Sequence, residues 1–336
     1  MTRSRYLLPG AALAATLGSV VVALFAPIDP GPFLVVAAIG PPVTALLLAA
    51  AVSGGASRSL VASALIGAVA VPALVLIAGG ALAAVVFGLV EPLAQAGRDL
   101  LDELRVDPTL LGVLSSPWAL VLLVHLAVVA PLVEEALKPI GSLARRPATA
   151  RDAFLFGVAA GAGFAVVENL LYASGWFLWG ESWLAVALLR SVGAAVHPLG
   201  AGLVSLGVWA ALRRRRPGIA LSSFAAAAAV HGLWNGSIAV TLVLFNERDF
   251  VAGGLGGTAL TWGVTLAVLL VLVGGAALAG LVGLARRVAG DEAPDRLLPG
   301  LAPSGPRAIV AWASAAALLL APAAILILEF PDFLAL

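Results

Sequence analysis

Long apolar runs separated by short polar connections make up nearly the whole chain. The runs fall at about Tyr6 to Ala26, Phe33 to Val52, Leu60 to Val90, Trp118 to Ile140, Ala153 to Trp179, Trp183 to Leu212, Ile219 to Phe245, Thr258 to Ala285 and Ala308 to Leu328. A helix crossing the hydrocarbon core of a bilayer needs about 20 apolar residues. The pattern therefore predicts an all-α, polytopic transmembrane bundle of about nine spanning helices. A β-barrel would instead show alternating segments of about ten residues, which these runs do not. The first run is longer than the roughly 7 to 15 apolar residues of a secretory signal, so it reads as a spanning helix. Pro72, Gly79 and Gly80 interrupt the third run, which a membrane helix tolerates when neighbours satisfy the backbone. The stretch Glu91 to Pro117 carries Asp99, Asp102, Glu103, Arg105 and Asp107 among leucines and reads as an interfacial amphipathic loop helix.

Charge in the connections predicts orientation, because cytoplasmic loops collect Lys and Arg. One side holds Arg3 and Arg5, Arg58, then Arg145, Arg146 and Arg151, then Arg213 to Arg216, then Arg286, Arg287, Arg296 and Arg307. The other side holds Ile28 to Pro32, the net-acidic Glu91 to Pro117 loop, Gly180 to Ser182, Asn246 to Phe250 and the tail Glu329 to Leu336. Nine crossings with a cytoplasmic N-terminus and an external C-terminus satisfy every connection. The division expected is a three-helix region over 1–117 with its external loop, a four-helix core over 118–245 and a two-helix region over 246–336. The polar connections are too short to bury a soluble core.

Composition agrees with the pattern and narrows the chemistry. Of 336 residues, 62% are apolar and 11% charged, where a soluble domain carries about a quarter charged, so a soluble protein is excluded. A net charge of +1 with one short Arg cluster offers no basic face for nucleic acid. Cysteine is absent, so any metal must be held by His and carboxylates. Lys138 is the only lysine among many arginines, a GC-rich bias that suggests a bacterium and places the chain in its plasma membrane.

The few ionisable residues inside the runs carry the functional signal, since each costs about 2.5 to 3.5 kcal/mol to insert. They cluster on four consecutive helices: Glu134, Glu135 and Lys138 after Pro131 on the fourth, Glu168 and Asn169 on the fifth, Arg190 and His197 on the sixth, and His231 and Asn235 on the seventh. Counting residues at 1.5 Å each brings three carboxylates, two imidazoles and two carboxamides to similar depth, and groups this polar should face one another. Glu134 and Lys138 are spaced i,i+4, as are His231 and Asn235, so each pair shares a helix face. Glu135 has no such local partner, and adjacent carboxylates in a low dielectric call for chemistry or a cation. Pro131 removes a backbone bond one turn before Glu134, and Pro198 should bias His197 away from helix. Gly157 and Gly161 form a small-residue pair suited to close helix packing. Arg190 is expected to snorkel to the external interface, and His125 to be structural.

The motifs E-E-A-L-K at Glu134 to Lys138, F-A-V-V-E-N at Phe164 to Asn169, the intramembrane His197 and H-G-L-W-N at His231 to Asn235 resemble those of the PrsW intramembrane protease family. That family is similar in core to the CAAX prenyl endopeptidases, and the likeness covers about Trp118 to Phe245. It implies cleavage of membrane-spanning protein substrates, with bacterial members acting on membrane-bound anti-sigma factors. It further implies Glu134 as the base, with His231 and Asn235 as oxyanion donors. The prenyl endopeptidases end their F-x-x-x-H motif on histidine where this chain has Glu168, and His197 is expected to take that role.

Two mechanisms stand open on the residues alone. Glu135, Glu168, His197 and His231 would make a zinc set, with Glu134 as base on a bound water and Lys138 and Asn169 in support. Without metal, carboxylate and imidazole can polarise water directly, and each preorganised oxyanion donor supplies about 2.7 to 4 kcal/mol. The rival from another class is a proton-coupled transporter or channel using the Glu and His groups as a relay. No second copy of the E-E or H-x-x-x-N segment supplies the internal repeat such proteins often carry.

Overall fold

The computed structural model describes residues 7–25, 31–54, 58–103, 124–179, 189–245 and 256–290. Regular structure among the described residues is entirely helical: α1 (Leu7–Phe25), α2 (Gly31–Ser53), α3 (Arg58–Glu103), a π-helical turn (His125–Val129), α4 (Ala130–Leu137), α5 (Ile140–Leu143), α6 (Ala150–Trp179), α7 (Val196–Arg214), α8 (Pro217–Phe245) and α9 (Gly256–Ala289). Among the described residues, five segments are long and apolar enough to cross a membrane: Ser59–Leu82, Ala150–Tyr172, Leu189–Arg214, Pro217–Ala239 and Thr265–Ala289. Leu7–Thr16 and Ala38–Ser53 are shorter apolar helices. The ninth expected run, Ala308 to Leu328, lies outside the described residues.

Three boundaries differ from the sequence expectation. Pro72 and the Gly79–Gly80 pair do not interrupt α3, which continues past Val90 to Glu103 over 46 residues. The segment expected to be a separate loop helix therefore begins as an extension of this one, because Leu, Ala, Gln and Arg after Pro92 favour helix and nothing before Glu103 stops it. The loop's remainder, 104–117, lies outside the described residues. Ahead of Pro131 the chain makes the π turn, with the Ala130 N–H bonded to the His125 carbonyl, so the donor missing at Pro131 falls in the first turn of α4 and costs nothing. The sixth run breaks at Gly193 to Ala195, where Val196 N–H returns to the Gly193 carbonyl at 2.9 Å. His197 is consequently helical, contrary to expectation, because α7 starts just before it and Pro198 also occupies a first turn.

Burial divides the bundle into an inner pair and an outer ring. The Ala150–Tyr172 and Leu189–Arg214 segments are 72% and 83% buried, against 22% for Ser59–Leu82 and 33% for Thr265–Ala289. The inner position of α6 follows from its small side chains: it packs against α7, α3 and α2. A Cβ at Gly163 would strike the Ala64 carbonyl, and one at Gly67 on α3 the Ala160 carbonyl. On the opposite face, Gly157 meets Ala201 and Gly161 meets the carbonyl of His197, as the expected small-residue pair requires. Without a hydrophobic drive between helices in lipid, such backbone approach supplies the packing energy. A left-handed Arg215, φ 54°, closes α7 by returning its N–H to the Ala210 carbonyl, and Pro217 opens α8.

Candidate active site

The polar residues of α4, α6, α7 and α8 meet in one buried cluster. α4 delivers three of them within one turn. Lys138 is completely buried, with Nζ 2.6 Å from Glu135 Oε1, 3.0 Å from Glu134 Oε2 and 2.8 Å from His197 Nδ1. The local partner that Glu135 lacks by i,i+4 counting is thus this same lysine at i+3, and it lies closer to Glu135 than to Glu134. The Phe164 ring lies 4.7 Å beneath the ammonium and 5.4 Å from the His197 ring.

Each imidazole is held by its own carboxylate. His231 Nδ1 lies 2.9 Å from Glu135 Oε1, and its Nε2 lies 3.1 Å from Asn235 Nδ2, the i+4 neighbour. His197 Nε2 lies 2.8 Å from Glu168 Oε2, off hydrogen-bond alignment. The two rings stand edge to face with centroids 4.6 Å apart. Gly200 makes room for the second Glu135 oxygen: an added Cβ there would sit 2.6 Å from Oε2.

Glu134 occupies the middle. Its buried Oε2 makes an ion pair with Lys138 but no hydrogen bond, and it lies 3.7 Å from both His197 Nδ1 and His231 Nε2. Among the described residues, Glu134, His197 and His231 form the group able to hold a metal ion, with one donor atom from each inside 4.8 Å of the others. Tetrahedral zinc, with bonds of about 2.0 to 2.2 Å, separates neighbouring donors by about 3.3 to 3.6 Å, close to the 3.7 Å from Glu134 to each imidazole; a metal would displace Lys138 from His197 Nδ1 and Asn235 from His231 Nε2. Counted as ionised, the carboxylates Glu134, Glu135 and Glu168 exceed the cations Lys138 and Arg190 by one charge, which either a proton on Glu134 or a bound cation would balance. The residues fit a divalent cation. Glu135 and Glu168, expected among its ligands, are engaged instead with Lys138 and Arg190.

One further residue departs from expectation. Arg190 does not snorkel: its side chain is 10% exposed and its Nη2 pairs with Glu168 Oε2, while Nε donates to Asn169 Oδ1. Asn169 in turn donates from Nδ2 to the Ala38 carbonyl of α2 at 3.0 Å, so it ties helices together at the edge of the cluster. The signal available in the sequence was that Glu168 has no cation within a turn on its own helix. His125 stays on the π turn, outside the metal-capable group.

A family model described as PrsW family intramembrane metalloprotease matches residues 56–273. The match extends beyond 118–245 on both sides, taking in all of α3 and the first half of α9. No curated protein and no solved structure matches the chain.

Proposed function

The chain belongs to the PrsW family of intramembrane metalloproteases, and on that premise we propose that it hydrolyses a peptide bond in a membrane-spanning protein at the Glu134, His197 and His231 cluster. Family membership makes the chain a hydrolase, which displaces the transporter reading of the same groups. The observation that carries the assignment is the meeting of a buried carboxylate oxygen without a hydrogen bond, Glu134 Oε2, with two imidazole nitrogens at equal distance.

Glu134, His197 and His231 would hold a zinc ion, which when bound acts as a Lewis acid on a carbonyl and makes water a better nucleophile. Around it the chain's own residues do the positioning. Glu135 fixes the His231 ring through Nδ1 and turns Nε2 inward, the carboxylate–histidine arrangement common behind metal-binding imidazoles. Glu168 Oε2 faces His197 from the opposite ring nitrogen, Nε2, at 2.8 Å. Lys138 bridges the paired glutamates with its one positive charge. Asn235 supplies an N–H donor beside His231 for the developing oxyanion.

A second reading rests on a specific contact: Lys138 engages His197 Nδ1 and Asn235 engages His231 Nε2, so both inward nitrogens already have partners. In that reading a water between Glu134 and the imidazoles loses its proton to Glu134 and Asn235 donates to the oxyanion, while His231, whose Nε2 accepts from Asn235 in the resting site, donates there only once protonated. The test for both is cleavage of a co-expressed single-span substrate. Glu134→Gln is expected to lower turnover by about 10² to 10⁴, the range for a lost acid–base group, with normal accumulation of the protein. Turnover equal to wild type would remove Glu134 from the reaction. Loss of activity on chelation, restored by zinc, supports the metal reading; full activity in chelator supports the second.

The finer picture rests on charge distribution and motif placement. We place nine crossings with the N-terminus in the cytoplasm of a bacterial cell, the catalytic core at 118–245 flanked by 1–117 and 246–336, and the substrate class among anti-sigma factors.

A further inference from the structure

The tightest polar contacts outside the metal-capable group gather on Arg190, which none of the site motifs contains. Its guanidinium pairs with Glu168 Oε2 through Nη2, takes Asn169 Oδ1 through Nε and lies 4.9 Å over the Tyr172 ring. Glu168 Oε2 is also the oxygen 2.8 Å from His197 Nε2, so one carboxylate oxygen is held between an arginine and a catalytic-site imidazole. Arg190 precedes the break at Gly193 to Ala195 and His197 follows it, so the two side chains reach Glu168 from either side of the break. The break is packed by the helix that carries the other histidine: a Cβ at Gly193 would collide with the Trp234 indole. Because His197 Nε2 and Glu168 are not aligned for a hydrogen bond, the imidazole alone does not fix that carboxylate. The planar fork of Arg190, anchored through Asn169 to α2, does.

We propose that Arg190 is a positioning residue, holding Glu168 in the one placement that aligns His197 toward Glu134 and His231. This rests on the cluster being the active site, but its test reads the histidine itself. The full chain, with only three histidines, is labelled with ¹⁵N-histidine, and the imidazole resonances are compared among wild type, Arg190→Gln, Arg190→Lys, Glu168→Gln and the Arg190→Gln/Glu168→Gln pair. Arg190→Gln is expected to move the His197 signals and leave those of His231 and His125 in place. Arg190→Lys, which keeps the charge without the fork, should recover part of the shift and serves if the glutamine variant does not fold. In the Glu168→Gln background the Arg190 change should add nothing. Zinc affinity of the apo-protein, measured by chelator competition, should fall about 10- to 100-fold in Arg190→Gln, as for other partners behind metal ligands.

An unmoved His197 in both Arg190 variants, equal movement of all three histidines, or an undiminished Arg190 effect in the Glu168→Gln background overturns the proposal. A wild-type protein that binds no zinc leaves the resonance test intact and counts against the metal reading alone. Normal cleavage by Glu134→Gln likewise strikes the proposed function and not the Arg190 contact.

Discussion

The two histidine arms of the cluster solve one problem with different materials. His231 is held from the interior by Glu135 and, behind it, Lys138, both completely buried. His197 shares Lys138 through Nδ1 but is faced on its other nitrogen from the rim by Glu168 and, behind it, Arg190, whose side chains are 14% and 10% exposed. The inner arm comes from α4 and α8, with its carboxylate and ammonium three residues apart on one helix. The rim arm is assembled from α6, the turn before α7 and an anchor on α2. A buried charge that loses its partner has no water to fall back on, whereas a rim charge recovers part of its solvation. The inner arm should therefore govern whether the chain folds, and the rim arm how well the site is aligned.

Variants can break that contrast. The largest loss is expected from Glu135→Gln, which takes the nearer carboxylate from the Lys138 ammonium and leaves it Glu134 at 3.0 Å: removing one partner of a buried pair costs up to about 3 to 5 kcal/mol. Thermal unfolding in detergent should show a large drop for Glu135→Gln and a clearly smaller one for Glu168→Gln. Equal drops would erase the distinction between arms. Next comes Gly161→Val, which drives a branched side chain into the His197 carbonyl. Overpacking of about 1 to 3 kcal/mol should come with reduced cleavage, since the displaced backbone carries the histidine. Gly275→Val, with open space around its Cβ position, is the comparison, and a matching loss there would show that helix propensity rather than the α6–α7 approach was measured. The smallest effect belongs to the outer ring: Ile77→Ala, at a site 72% exposed, should change stability by no more than about 0.5 kcal/mol. A larger loss would mean that α3 packs against something there.

How much was legible in advance tracks the range of the forces involved. Helical class and membrane residence follow from run length and the cost of unpaired backbone in lipid, which are local. The small-residue approach of α6 was readable for the same reason, since Gly157 and Gly161 mark a face whatever the neighbour is. The partners of the charges were not. An i,i+4 count assigns Lys138 to Glu134, yet Lys138 sits nearer Glu135 because His197, 59 residues away, draws the ammonium to its other side. Arg190 looked like an interfacial residue because snorkelling is the usual fate of a long cation near a helix end; its real partners lie 21 and 22 residues earlier. Pro198 misled for a geometric reason: proline disfavours helix before it except in a first turn, and where the first turn begins depends on the break at Gly193.

By itself, then, the sequence determined the solvent this protein lives in, its helical architecture, its family and the short roster of residues able to do chemistry, because hydropathy and spacing act over a few residues. Only the tertiary structure decided which of those residues face one another: that Glu134 rather than Glu135 or Glu168 stands between the imidazoles, and that Arg190 belongs behind Glu168. Charges in a low dielectric choose partners by distance in space, and four helices had to pack before those distances existed.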